Sequence, residues 1–356
     1  MKSMPKAIEF LTHLIHRYFI WMIVASYFLA ALLPGLGIWL REAELGSVVL
    51  LQNTLDLRLP PLMLSLLLFN AGLGVKPKEL GQLLRRPQLL LGGLLGNVVT
   101  PLSFIIGVSL IMALWHNPEE VQHILVGLAL VAAMPIAGAS TAWSQNANGN
   151  LALSLGLVLL TTLLSPLLTP LVLHTVGFVT TGDYSEDLHE IAADGVVTFL
   201  GVWVVLPSLL GILMQRLVGE QRLVGAKASI KLVNYVILLL LNYSNASLSL
   251  PKALAQPDYD FLAILLVIVV ALCVSAFATG YLVARVFHAN RTDRVALMFG
   301  LGMNNNGTGL VLVSVALADH PEVMLPIIFY NLVQHLIASL VDVTVLRQGM
   351  QSYKTV

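Results

Sequence analysis

The sequence predicts an all-α polytopic membrane protein: ten transmembrane helices in two inverted five-helix repeats. Three observations carry this. Of 356 residues, only 19 are basic and 19 acidic, while 57% are apolar types and the mean hydropathy is +0.86. Soluble domains hold roughly 45–50% apolar and about 25% charged residues. Ten stretches are long enough to cross the ~30 Å hydrocarbon layer, which takes ~20 apolar residues. The basic residues also cluster in alternate connections. This composition excludes a soluble enzyme, a disordered tail and a basic nucleic-acid binder. The single cysteine, Cys273, excludes a disulfide scaffold or a thiolate zinc cluster.

The first span, 18–40, follows a basic, polar lead (Lys2, Lys6, Arg17) and continues into Leu32-Leu33-Pro34 past any small-residue cleavage site. It reads as a retained helix, not a signal peptide, and Glu9 argues against a transit peptide. The stretch 47–59 is apolar but holds Gln52, Asn53, Asp56 and Arg58 before Pro60-Pro61. It either extends the second span, 59–75, or lies at the interface. The third, fourth and fifth spans cover 89–114, 122–147 and 150–174. After the longest polar interval, Thr175 to Glu190, come spans at 190–214, 230–249, 261–287, 294–317 and 323–346.

With the N-terminus placed in the cytoplasm, 16 of the 19 basic residues fall on the inner side and only Arg41, Arg58 and Lys252 outside. This satisfies the positive-inside rule and supports the span count, because one missed helix would scramble the alternation. Both termini are then cytoplasmic. The zero net charge resolves into about +11 inside and −11 outside.

Five spans per half is an odd number, so two halves of one fold must be inverted, an arrangement common in transporters. The repeats are 1–175 and 176–356. The fourth and ninth spans hold equivalent places, and each is interrupted by small and polar residues: MPIAGASTAW from Met134 to Trp143, and GLGMNNNGTG from Gly300 to Gly309. In hydrocarbon every freed backbone group needs a partner. Broken helices offer N–H groups to anions and carbonyls to cations. Asn304, Asn305, Asn306, Ser140 and Thr141 add neutral oxygen and amide groups there, a ligand set suited to hard cations such as Na+. The alternative is that the asparagines only satisfy backbone groups freed by a kink.

In the last span Asn331, His335, Ser339 and Asp342 share one helix face. Intramembrane ionisable residues mark ion or proton pathways, which makes Asp342 a candidate proton site. Against this, Asp342 stands one turn before Arg347 and has a simple pairing partner there, and His335 has a reading as a packing histidine.

The sequence resembles the bile acid:sodium symporter family over most of its length. Leu62 to Leu102 resembles the family's second and third helices with the basic turn between them, and Asn150 to Leu171 its fifth. Gly302-Met303-Asn304-Asn305 sits where the family has Gly-Met-Gln-Asn, and Phe329-Tyr330-Asn331 where it has an aromatic-His-Asn run. The resemblance implies a core domain of helices 3–5 and 8–10 (about 89–174 and 261–346) holding two crossed, broken helices. It implies a panel domain of helices 1, 2, 6 and 7 (about 18–75 and 190–249), alternating access by motion of one domain against the other, and substrate near the crossing. By position, Ser140, Thr141 and Ser154 match one sodium site. Leu301 and Met303 match carbonyl donors of the other, where Asn304 replaces a glutamine. Asn305 and Asn331 match polar residues near substrate; Asn306, Thr141, Tyr330 and His335 complete the candidate substrate set. The family's ion-binding glutamate falls at Gly300, its third-helix glutamine at Gly96 beside Asn97, and a fifth-helix hydroxyl at Val158.

An enzyme is not expected: His189-Glu190 lacks the second histidine of a zinc-protease helix, and no nucleotide-binding loop or nucleophile–base pair appears. A channel lacks a filter motif or charged pore stripe. The expectation is a secondary transporter, a symporter for a small or amphipathic organic anion with Na+ as coupling ion; a proton-coupled or uncoupled carrier is the alternative. Its partners are the lipid bilayer and its substrate, with no nucleic acid. The bacterial inner membrane is the expected location, and the sequence carries no signal for oligomeric state.

Overall fold

A computed structural model describes residues 6–50, 53–75, 86–219, 222–223 and 225–343. Lys2, the basic turn 76–85, Arg347 and Lys354, on which the orientation and the Asp342–Arg347 pairing partly draw, lie outside the described residues.

The chain divides into two compact units. The first comprises 1–76, 199–258 and 310–321. It opens with α1 (Lys6–Leu32), whose chain bends by 95° into α2 (Gly35–Glu42). Pro34, which lacks an N–H, sits at the bend. The stretch 47–59, expected to extend the second span or lie at the interface, does not extend that helix: it falls in an antiparallel pair of β1 (Glu44–Leu50) and β2 (Asn53–Arg58), with Ser47 opposite Asp56 and Leu50 opposite Asn53. Thr54-Leu55-Asp56-Leu57-Arg58 alternates polar and apolar residues, a strand pattern, and Val48-Val49 is β-branched. Arg58 closes the open end on Glu44 at 3.0 Å. The hairpin is a local exception to an otherwise helical chain.

α3 (Leu59–Leu73) starts at Pro60-Pro61, which fits the first turn because a helix needs no donors there. It packs on α9 (Val196–Val218). A Cβ on Gly72 would lie 2.3 Å from the Ser208 carbonyl oxygen, and one on Gly211 would lie 2.1 Å from that of Phe69. The two backbones therefore touch where neither has a side chain. α10 (Lys227–Ala255) packs along α1, with Phe19 and Tyr235 ring centroids 4.9 Å apart. Asn70 Nδ2 donates to Asn234 Oδ1 at 2.7 Å, joining α3 to α10.

The second unit comprises 77–198, 259–309 and 322–356. It holds α4 (Pro87–Met112), α5 (Pro118–Ala133), α6 (Ala139–Asn146), α7 (Leu151–Gly177), α8 (Asp183–Glu190), α11 (Tyr259–Val286), α12 (Arg291–Gly302), the start of α13 (Asn306–Ala316) and α14 (Met324–Val341). Its apolar centre is Leu89, Ile136, Leu153, Leu157, Ala284, Ala296, Leu297 and Leu301.

Among the described residues, six helices are long and apolar enough to cross a membrane, or seven if the bent pair in α1–α2 counts as one span. The sequence expectation was ten. The fourth and ninth expected spans are each split into two short helices, and the second is 15 residues long. Half-helices of this kind are tolerated at membrane depth only where protein groups satisfy their ends. The structure is that of an all-helical polytopic membrane protein, with the hairpin as its one sheet among the described residues.

Candidate functional site

Both expected interruptions are real, and within the second unit they meet. The α5–α6 break, Met134 to Gly138, runs antiparallel to the α12–α13 break, Met303 to Asn305, with Ile136 opposite Asn304. Ala137 N–H donates to the Met303 carbonyl at 2.9 Å, and Asn305 N–H to that of Pro135 at 2.9 Å. The C-terminal ends of α5 and α12 and the N-terminal ends of α6 and α13 therefore converge, opposite partial charges side by side.

Side chains serve most of the groups that the breaks release. Asn304 Nδ2 donates to the Val131 carbonyl at 2.8 Å, and its backbone N–H to Gln334 Oε1 at 3.1 Å. Thr169 Oγ1 donates to the Ala133 carbonyl at 2.6 Å, and Thr161 Oγ1 accepts from Ile136 N–H at 3.1 Å. For Asn304, half of the alternative reading holds, because its NH2 group serves a freed carbonyl. Thr169 and Gln334 were not singled out from the sequence. Gln334 had a visible signal, an amide one turn after Asn331 in an apolar helix; a lone threonine in α7 had none.

A second set of atoms has no protein partner. Asn304 Oδ1, both amide atoms of Asn306, Thr308 Oγ1, Ser140 Oγ and Ser144 Oγ are all buried without a hydrogen bond. Leaving such a group unpaired costs about 1–3 kcal/mol, so these atoms call for partners that the protein's own groups do not supply. Asn305 is half-buried and its Oδ1 accepts from Thr308 N–H at 3.4 Å, capping α13. Thr141 and Ser154 are joined, Ser154 Oγ donating to Thr141 Oγ1 at 3.2 Å. The Leu301 and Met303 side chains are buried, and the Met303 carbonyl already accepts from Ala137.

The stripe on α14 is mixed. Asn331 is buried and accepts from Gln334 Nε2 at 3.3 Å, which ties it to the crossing through Asn304. His335 is half-buried, Ser339 exposed, and Asp342 buried at the end of the helix. Tyr330 is fully buried between α11 and α14, beside Cys273. The glycines at the two departures are filled from outside. A Cβ on Gly300 would meet Leu157 at 3.1 Å, and one on Gly96 would meet Leu301 at 2.8 Å and Thr279 at 3.0 Å. Leucine side chains occupy the space that longer polar ones would need.

A polar node anchors one end of this assembly. Asp293, 1% exposed, accepts from Arg86 at 2.6 Å and from Asn150 Nδ2 at 2.7 Å, while Asn290 caps its backbone N–H at 2.8 Å. It joins the starts of α4, α7 and α12. Asn117 and Glu120 open α5 with the same asparagine–acid spacing, although there Asn117 Oδ1 accepts from Glu119 N–H at 3.1 Å and its Nδ2 donates to Glu120 Oε1 at 2.7 Å. Asp293→Ala is expected to cost about 2–3 kcal/mol, because Arg86 is half-exposed and regains water while Asn150 is left unpaired. The check is the thermal unfolding midpoint of the purified protein in detergent.

Residues 17–347 match the SBF-like CPA transporter family. The chain belongs to that family. It is related to the bile acid:sodium symporters, so the sequence resemblance holds at this coarser level. This SBF-like transporter is also 26% identical over 217 residues to the uncharacterized protein YbaS of Bacillus subtilis (strain 168), covering 61% of this chain and 67% of that protein. The SBF-like protein is therefore an integral membrane transporter and not an enzyme.

Proposed function

We propose that this transporter is a secondary active carrier of a small or amphipathic organic anion, coupled to Na+ and binding substrate at the crossing of α5–α6 with α12–α13. The observation that carries the reading is the set of buried, unpartnered amide and hydroxyl groups at that crossing. Asn306 Nδ2, Asn305 and the first N–H groups of α13 are donors of the kind that hold a carboxylate or sulfonate at a helix start. Helices α4–α7, α11, α12 and α14 form the core in this reading, and α1–α3, α9 and α10 the panel. The shared asparagine–acid spacing at the starts of α5 and α12 supports an inverted repeat. In this reading both termini are cytoplasmic, on the strength of the basic-residue alternation, and the membrane is a bacterial inner membrane, because the basic lead does not resemble a transit peptide.

For Na+, the residues fit one site better than two. Ser140 Oγ is buried without a partner, and Thr141 and Ser154 supply two further hydroxyl oxygens 3.2 Å apart. Such neutral oxygens are ligands for a hard cation. Around Leu301 and Met303 the polar set is incomplete, because Leu157 and Leu301 pack at Gly300 and Gly96. This favours a single Na+ with the substrate anion balancing its charge. The same packing favours, as a second reading, a carrier coupled to protons through His335 or Asp342, or an uncoupled one.

A thermal-shift screen of organic acids, with and without Na+, identifies the substrate, since a ligand of the folded state raises apparent stability. Uptake of that acid into proteoliposomes is then expected to fall at least about tenfold when choline replaces Na+, and to lose its Na+ dependence in Thr141→Val. Equal uptake in Na+ and choline media removes the sodium assignment. A dependence on pH alone transfers coupling to His335 or Asp342, and counterflow without either gradient establishes an uncoupled carrier.

A further inference from the structure

Away from the crossing, the second unit carries a cationic cavity that transport does not use. It lies where α11 ends and α12 begins, has a volume of about 480 Å³, and is lined by Tyr281, Ala284, Arg285, His288, Ala289 and Arg294. Three of the six carry basic side chains and none carries a carboxylate. Asp293, the nearest acid in sequence, points its carboxylate into the node with Arg86 and Asn150. Arg294 is held over the Tyr281 ring, its guanidinium carbon 5.7 Å from the ring centroid. His288 adopts a left-handed backbone conformation, φ +48°, that a non-glycine residue takes at a cost. The tight connection around it is fastened by Ala289 N–H donating to the Ala284 carbonyl at 2.8 Å.

The position of the cavity along α11 limits what enters it. α11 is the most apolar span, and it ends at Val286, beside Arg285. Below that end, Val267, Val274, Leu282 and Val286 are 62%, 50%, 54% and 69% exposed. Their spacing puts them on one face of the helix, an apolar stripe leading up to the arginines. With α11 spanning a bilayer, a charged cavity at the end of such a stripe would lie at headgroup depth with acyl-chain surface beneath it.

We propose that this cavity binds the phosphate of an anionic phospholipid, with Arg285 and Arg294 as the charge partners and His288 as a further hydrogen-bond donor. Arginine forks pair with phosphate oxygens in two parallel hydrogen bonds, and the tyrosine face fixes one fork in advance. The lipid tails lie along the stripe from Val286 towards Val267. The same chemistry would accept a free phosphate ion, and the stripe decides for the lipid.

The test uses purified full-length protein in a neutral detergent. Phosphatidylglycerol or cardiolipin is titrated, with phosphatidylcholine and inorganic phosphate as parallel arms, and bound lipid is counted by native mass spectrometry beside the thermal midpoint. Anionic lipid is expected to remain bound and raise the midpoint, and the two comparison arms to do neither. Arg285→Gln with Arg294→Gln is expected to weaken lipid retention by about tenfold or more. Arg294→Lys, which keeps the charge but not the fork, is expected to fall between. Retention of phosphatidylcholine equal to that of phosphatidylglycerol, or unchanged retention in the double variant, overturns the proposal. A phosphate arm matching the lipid arm overturns the lipid assignment. Comparing lipid-free midpoints of the variants and the parent separates lost binding from lost folding.

Discussion

Asn306→Ala is expected to abolish substrate uptake while raising the thermal midpoint of the ligand-free protein. The two effects have one origin. Asn306 is 1% exposed, and neither its amide nitrogen nor its amide oxygen has a partner within the protein. In the ligand-free state each such atom costs about 1–3 kcal/mol, and alanine removes both, at the expense of a small cavity. With the proposed anionic substrate bound, the amide nitrogen would donate to it, and losing such a bond to a charged group costs about 1.5–3 kcal/mol. Reconstituted uptake and ligand-free unfolding, measured on one preparation, check both halves. Normal uptake by Asn306→Ala together with Asn305→Ala removes the crossing as the substrate site. A lowered midpoint with lost uptake assigns Asn306 to structure instead.

Gly211→Val is expected to leave little folded protein, a loss of more than about 3 kcal/mol. The position of a Cβ at Gly211 is 2.1 Å from the Phe69 carbonyl oxygen and 2.9 Å from Gly72 Cα, so the obstacle is backbone, which cannot rotate away. α3 and α9 would have to separate along their contact. Gly107→Val makes the control, because a Cβ at that position of α4 meets nothing within 4 Å. Size-exclusion profiles and thermal midpoints of the two variants are the measurement; equal profiles would show that the α3–α9 contact tolerates separation.

The sites of both helix breaks were legible because small and polar residues inside an apolar span carry a penalty that something must offset. Ser140, Thr141 and Asn304 to Asn306 stood out for that reason, and the structure brings them together. What the asparagines do was not legible. Asn304, Asn305 and Asn306 are chemically alike, yet one caps a carbonyl of α5, one caps α13, and one is left with free donors and acceptors. Those roles depend on which atoms face the partner strand. The hairpin was readable in principle, since the alternation from Thr54 to Arg58 has the period of a strand. The count of apolar residues around it obscured that period.

Departures from the resembled family became physical only with side chains in place. A glycine at 300 or 96 reads in sequence as a missing ligand, and packing turns it into a space already taken by Leu157 or Leu301. Tyr330 likewise reads in sequence as a neighbour of substrate, and only the structure shows that its side chain is buried beside Cys273.

By itself the sequence determined the solvent: an apolar chain with its charges sorted to alternate connections has to fold within a bilayer, because the cost of burying charge in hydrocarbon is local and additive along the chain. It also determined where the spans must break. Only the tertiary structure decided which polar groups spend their hydrogen bonds on the broken backbone and which are left without a protein partner. Hydrogen bonding is directional and acts within about 3 Å, and nothing in the order of residues fixes that distance.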